Sequence, residues 1–224
     1  MLIAGDLLLL LLDDESGKFV SSDSGVAVGG ALLVELALAG SVEVREKTSK
    51  WSSAKVGVAG PLLEPAEPVL VQAVEVVAEK PRPAQELVTR LGKSLRDPVL
   101  EGLAAGGYIR RSDERALGFI PYTRWPAVSA EREAEVRRLV ADVLVGGASP
   151  DERTAALIGL LSAVGKAGST LGLKGKEKRA VDKRAKEIAE GEWAAESVRN
   201  AVLAAQSAAA AAATAVVVAG AAGT

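Results

Sequence analysis

Apolar residues fill the first twelve positions almost without interruption, with six consecutive leucines, Leu7–Leu12, following Asp6. The run stops at Asp13-Asp14-Glu15-Ser16-Gly17, so residues 2–12 predict a first buried helix or strand. Residues 31–39, ALLVELALA, are apolar nearly all round, with Glu35 as the lone charge. A helix without a polar face belongs in the interior, and Gly40 stops it. Val42–Arg45 alternates apolar and charged residues as an edge strand does. Residues 46–68, rich in Ser, Lys, Gly and Pro, predict a loop or linker.

Further on, Val69–Ala78 and Ala84–Leu91 predict two short helices joined by Lys80-Pro81-Arg82-Pro83, and Ser94–Ala105 a further helix ended by Gly106-Gly107. Tyr108–Arg111 and Leu117–Tyr122 flank the polar run Ser112-Asp113-Glu114-Arg115, which predicts a β-hairpin turning at that run. Glu131–Val145 places apolar residues at 136, 139, 140, 143 and 144, the spacing of one helix face. Ser149-Pro150-Asp151-Glu152 predicts a helix start with Ser149 as N-cap, Pro150 at the first helical position and Glu152 closing a capping box. Thr154–Val164 beyond it is apolar all round. Lys176–Ala189 turns Val181, Ala185, Ile188 and Ala189 inward, and Trp193–Ala205 does so with Ala194, Val198, Ala201, Val202 and Ala205. The expected fold is mainly α, a bundle of buried helices ringed by amphipathic ones, with one β-hairpin. It is expected to form one domain over residues 1–205, followed by a frayed, Ala-rich tail over 206–224.

Composition narrows the chemistry. The 224 residues include no histidine, no cysteine and one methionine, Met1. That excludes Ser–His–Asp and Cys–His catalysis, histidine general bases, disulfides and zinc sites built on Cys or His. Twenty-seven Lys and Arg against 29 Asp and Glu leave a net charge of −2, so no global field recruits polyanions. A hydrophobic content of 49% with only 3% aromatic residues suits packed Leu, Val and Ala helices better than a β-sandwich. The amino-terminal run lacks a cationic flank and is followed by acids, which argues against a secretory signal. It is also shorter than the about 20 apolar residues that a bilayer requires. Ala204–Gly223 is mostly alanine, so no transmembrane span is expected and an intracellular location is.

Motifs for catalysis fail on spacing or context. Gly159–Lys166, GLLSAVGK, resembles a phosphate loop but has five residues between its glycines and Ala167 where a magnesium ligand belongs. Ser52-Ser53-Ala54-Lys55 has the spacing of Ser–Lys hydrolases without a second supporting motif. Asp13-Asp14-Glu15 lacks the glycine and terminal glutamate of a calcium loop. No enzyme, catalytic residue, cofactor or metal is therefore expected.

Two constellations point to binding. Gln85–Tyr122 has the outline of a winged helix, a short helix, a second helix and a hairpin carrying Arg110, Arg111 and Arg115. Asp97 and Glu101 on its second helix oppose a nucleic-acid reading, because they would repel phosphates. The other is clustered positive charge. Lys174–Lys186 holds seven Lys or Arg against Glu177 and Asp182, and Lys93, Arg96, Arg110 and Arg111 form a candidate pocket for a phosphorylated head group.

Several stretches, in order, resemble the Golgi phosphoprotein 3 family, effectors of phosphatidylinositol 4-phosphate with bacterial relatives. They are DLLLLLLDDESGK at 6–18, GGALLVELALAG at 29–40, DPVLEGLAAGGYIRR at 97–111, SPDERTAALIGLLSAVG at 149–165 and RAKEIAEGEWAAESVRNAV at 184–202. The resemblance implies a non-enzymatic, cytoplasmic peripheral membrane adaptor that binds anionic phospholipid. It carries two basic head-group positions onto Lys93 and Arg96. A third basic position falls on Gly29, and the membrane-wedging tryptophan falls near Val20, with Phe19 the only aromatic close by. The hairpin, through Leu117, Phe119, Ile120 and Tyr122, is implied as a membrane contact or the contact of a homo-oligomer. A purely protein-interaction module remains open, and the sequence names no protein cargo.

Overall fold

The computed structural model describes residues 1–20, 24–45, 54–62, 66–116, 119–191, 199–203 and 207. Helix α1, Ile3–Leu11, is buried along its whole length, as its unbroken leucines dictate. Its one charge, Asp6, is 7% exposed and accepts two hydrogen bonds of 2.8 Å from the Arg132 guanidinium. Helix α2, Ser24–Leu38, runs beside it and extends further toward its start than the apolar run predicts. Glu35, buried on α2, supplies what the end of α1 lacks. Leu2 offers no side-chain cap, and the Ile3 N–H instead donates to Glu35 Oε1 at 2.5 Å. Arg153 donates to both oxygens of the same carboxylate at 3.0 Å and also to the Met1 carbonyl.

Strand β1, Val42–Arg45, pairs antiparallel with β2, Lys55–Val58, in the register Val42↔Val58 to Arg45↔Lys55. The second strand lies inside the stretch expected to be loop. A short, glycine-containing sequence, Lys55-Val56-Gly57-Val58, is held as a strand there because Val56 also exchanges backbone hydrogen bonds with Arg82 on its other side, at 2.7 and 3.2 Å. Helix α3, Pro68–Ala78, matches its predicted span.

Helix α4, Ala84–Ala105, corrects the expectation of separate helices over Ala84–Leu91 and Ser94–Ala105. Gly92 is not a break but a crossing point. A Cβ on Gly92 would lie 2.5 Å from the Gly25 carbonyl carbon, and one on Gly29 would lie 2.7 Å from the Gly92 nitrogen. The backbones of α2 and α4 touch only because these positions lack side chains. With no turn between its halves, α4 cannot supply the first two helices of a winged helix, and the nucleic-acid reading loses its geometric basis.

The hairpin is also shifted. Strands β3, Ser112–Ala116, and β4, Ile120–Arg124, pair from Ser112↔Arg124 to Ala116↔Ile120. The polar run expected at the turn is therefore a strand. Its polarity reflects a hairpin open to solvent, where alternate residues pair across it, as Glu114 does with Tyr122 and Arg124. Helix α5, Glu131–Leu144, follows.

Helix α6, Glu152–Ala163, begins later than expected. Asp151 rather than Ser149 is the N-cap, its carboxylate accepting from the Thr154 N–H at 2.7 Å. The short α7, Ala167–Thr170, leads to α8, Gly175–Glu190, which turns Val181, Ala185 and Ala189 inward. Residues 199–203 are helical, with Ala201 and Val202 buried. The rest of the expected Trp193–Ala205 helix, and the Ala-rich tail apart from Ser207, lie outside the described residues. The molecule is mainly α, with two small antiparallel ribbons among the described residues.

Candidate functional site

The loop after α1 organises one face of the molecule. Asp13 accepts from the Ser16 N–H at 2.8 Å, closing a tight turn, and hydrogen bonding by Ser16 holds its carboxyl below the ordinary value. Gly17, at φ +61, then passes directly over the chain at Trp125, where a Cβ would stand 2.6 Å from the Trp125 nitrogen. That approach is sealed by Trp125 N–H to Gly17 O at 3.0 Å and Ala127 N–H to Asp14 O at 3.1 Å. A backbone bridge to Leu12 returns the loop at Phe19.

Two arginines lie over aromatic rings at this loop and at the segment it bonds to. The Arg96 guanidinium sits 5.5 Å from the Phe19 ring centroid and that of Arg111 sits 6.0 Å from the Trp125 ring. Such contacts contribute about 0.5–1 kcal/mol each at exposed sites. Arg96 also pairs with its neighbour Asp97 at 3.1 Å, and Arg111 pairs with Asp113 at 3.1 Å and Glu101 at 3.6 Å. The Asp113 carboxyl is held below its ordinary value by the Thr123 hydroxyl and then by Arg111. Lys93, one turn before Arg96 on α4, is exposed and has no ion pair among the described residues.

Arg110 is placed differently from its neighbour. Ile109 is 2% exposed and bridges Ala127, while the Arg110 N–H donates to the Pro126 carbonyl at 2.9 Å. Of the four expected head-group residues, Arg96 and Arg111 lie over Phe19 and Trp125, while Lys93 and Arg110 are exposed without an ion pair among the described residues.

Gly29 faces the α4 backbone, so an arginine cannot project from that position here. Val20 is 45% exposed beside Phe19. On the hairpin, Phe119 is 72% exposed. Tyr122 is half-buried, its hydroxyl donating to Glu114 at 2.6 Å and accepting from Arg124 at 2.8 Å. The Glu114 carboxylate, held by that proton, pushes the phenol pKa up. Leu117 lies outside the described residues, and of Ile120 only the backbone is described.

The other sequence candidates resolve into structure. In the basic stretch of α8, Lys178 pairs with Asp182 at 2.5 Å, Lys183 with Glu187 at 3.5 Å and Lys186 with Glu190 at 3.8 Å, while Arg184 donates to the Val143 carbonyl. That is a helix face laced at four-residue spacing. Gly159 lies within α6 and its side faces Val202 and Ala189, so GLLSAVGK forms helix rather than a phosphate cradle. Ser52 and Ser53 lie outside the described residues; Lys55 is exposed on β2. Sequence reasoning passed over Trp125, because nothing local to Arg124-Trp125-Pro126 marks a contact with Gly17 more than one hundred positions earlier.

Taken together, the class is a mainly helical domain that presents a cation–aromatic face and an exposed hairpin, and no helix among the described residues is long and apolar enough to cross a membrane. The sequence model of the Golgi phosphoprotein 3 (GPP34) family matches residues 3–205, and the chain belongs to that family. Comparison with curated proteins finds no match.

Proposed function

We propose that this protein is a non-enzymatic peripheral membrane adaptor that binds anionic lipid head groups, phosphatidylinositol 4-phosphate among them, through Lys93, Arg96 and Arg111. The observation that carries this reading is the joining of Arg96–Phe19 to Arg111–Trp125 across the Gly17–Trp125 backbone contact. Family membership supports it. The acidic partners of the two arginines do not oppose it. Exposed ion pairs are worth only about 0–1 kcal/mol, whereas a phosphate offers a guanidinium two charge-assisted hydrogen bonds in a fixed fork. Lys93 adds an exposed charge with no ion pair among the described residues, and Val20 and Phe119 offer apolar contact at the lipid surface. The exposed hairpin, a two-stranded ribbon with free edges, favours a homo-oligomer as a second contact role.

Vesicle flotation tests the proposal. The protein is expected to float with vesicles containing phosphatidylinositol 4-phosphate or another anionic lipid at low salt, and to be released by salt. Failure to float with any anionic vesicle would remove the membrane reading. Floating that survives Lys93→Ala with Arg96→Ala would move the site elsewhere, with α8 the next candidate.

A further inference from the structure

A cavity of about 220 Å3 lies between the turn after α1, the first half of α5 and the link from α6 to α7. Charged side chains of both signs line it. From α5 come Glu133 and Arg137, which satisfy one another: Glu133 is 5% exposed and accepts from the Arg137 guanidinium, which also donates to the Thr170 carbonyl. Asp13 already accepts from the Ser16 N–H. Two charges are left over. Lys166 is half-buried and Asp14 exposed, both line the cavity, and neither has an ion pair among the described residues, even with the other.

Both of these groups stand on backbone that is already fixed. The turn carrying Asp13 and Asp14 is closed by Ser16 and clamped to Trp125 and Ala127. Lys166 follows Gly165, whose φ of +64 turns the chain out of α6, and its N–H donates back to the Leu161 carbonyl at 2.9 Å. A half-buried ammonium has lost part of its water and calls for an anion, which the protein does not supply here. Val20 also lines the cavity, so it adjoins the Phe19 end of the basic face.

We propose that this cavity binds a small zwitterion, its primary ammonium held by Asp14 and Asp13 and its singly charged anion by Lys166 and the Ser169 hydroxyl. With Glu133 and Arg137 cancelling, two carboxylates face one ammonium, so a ligand of net negative charge is disfavoured and one carrying both signs is matched. The volume falls below the about 300 Å3 at which sites for drug-sized molecules begin, which suits a ligand of few heavy atoms. The same chemistry is met in the ethanolamine phosphodiester head of a membrane lipid and in a free amino acid. The lipid source rests on the membrane reading proposed above; the charge pattern of the cavity does not.

Amide NMR of the full-length chain tests it, with glycerophosphoethanolamine and β-alanine titrated separately and without vesicles. Saturable shifts confined to the segments around Asp13–Val20 and Lys166–Thr170 are expected for at least one probe. Binding of the phosphodiester alone identifies a lipid head group, binding of β-alanine alone an amino acid, and binding of both the shared zwitterion. Glycerophosphocholine, whose quaternary ammonium has no N–H to donate, is expected to bind about tenfold more weakly than its ethanolamine counterpart. Lys166→Met and Asp14→Asn are each expected to weaken the bound probe about tenfold, with the thermal midpoint unchanged because no ion pair is lost. No saturable shift with either probe, or undiminished affinity in both variants, would overturn the proposal. Because no membrane is present, that failure leaves vesicle flotation to judge the head-group site independently.

Discussion

Gly25 and Gly92 meet backbone against backbone where α2 crosses α4, and a Cβ on Gly92 would overlap the Gly25 carbonyl. Lys93 and Arg96 lie immediately beyond this contact, so the crossing sets the height of the basic side chains relative to the loop that carries Phe19. Gly92→Ala is expected to cost about 3 kcal/mol or more, since both neighbouring elements are rigid helices and the overlap is with backbone. Gly102→Ala on the same helix is expected to do the opposite, stabilising by up to about 1 kcal/mol. Chemical denaturation of the two variants reads the contrast directly, and equal effects would mean that the crossing is looser than described.

The Asp6–Arg132 pair is a second test of packing against charge. Arg132→Ala leaves a nearly buried carboxylate without its two hydrogen bonds and is expected to cost about 3 kcal/mol. Replacing both partners, Asp6→Leu with Arg132→Met, is expected to recover most of that loss, because no charge then remains to be solvated. A double-mutant cycle followed by thermal melting would show it, and additive losses would contradict it.

Asp151 makes stability depend on pH at the start of α6. Its carboxyl is held below the ordinary value of 3.8, first by the Thr154 N–H and with a smaller contribution from Arg153. A group with a depressed folded value stabilises the fold when ionised. Its contribution is therefore complete above about pH 4–5 and is lost as pH falls through the lower folded value. Asp151→Ala is expected to cost about 1 kcal/mol at neutral pH, and Asp151→Asn to retain the cap while flattening the acid limb of the pH profile. Denaturation midpoints between pH 2 and 7 measure both.

The acidic partners of the basic face give a prediction of opposite sign to most substitutions. Asp97→Asn with Asp113→Asn releases Arg96 and Arg111 from their nearest carboxylates. Affinity for anionic vesicles is then expected to rise roughly fivefold to tenfold, with a steeper dependence on salt. Co-sedimentation over a lipid series reads it. Unchanged affinity would place these arginines away from the lipid.

Much of this arrangement was legible in the chain, and what was hidden follows a physical pattern. The leucines of α1, the apolar span of α2 and the inward stripe of α8 announced themselves because burial on all sides or one side writes a local period. Gly92 and the polar run 112–115 misled because their meaning is set by partners elsewhere, a crossing helix and a facing strand. Strand β2 was missed for the same reason, its ladder being completed by Arg82. For the proposed site, clustered charge pointed to Lys93, Arg96, Arg110 and Arg111 but not to the rings under Arg96 and Arg111, because the Gly17–Trp125 contact beside them has no sequence signature.

The bonds that secure α1 come from much later in the chain. Its first N–H waits for Glu35, Asp6 waits for Arg132, and the Met1 carbonyl waits for Arg153. During synthesis the leucine-rich α1 therefore leaves the ribosome well before those partners exist. For most of translation it is an apolar segment in need of cover, from a chaperone or from provisional contacts with α2. Chains ending before Arg153 are expected to aggregate rather than to accumulate as a smaller folded unit, and the yield of soluble protein should depend on how quickly the later helices are made.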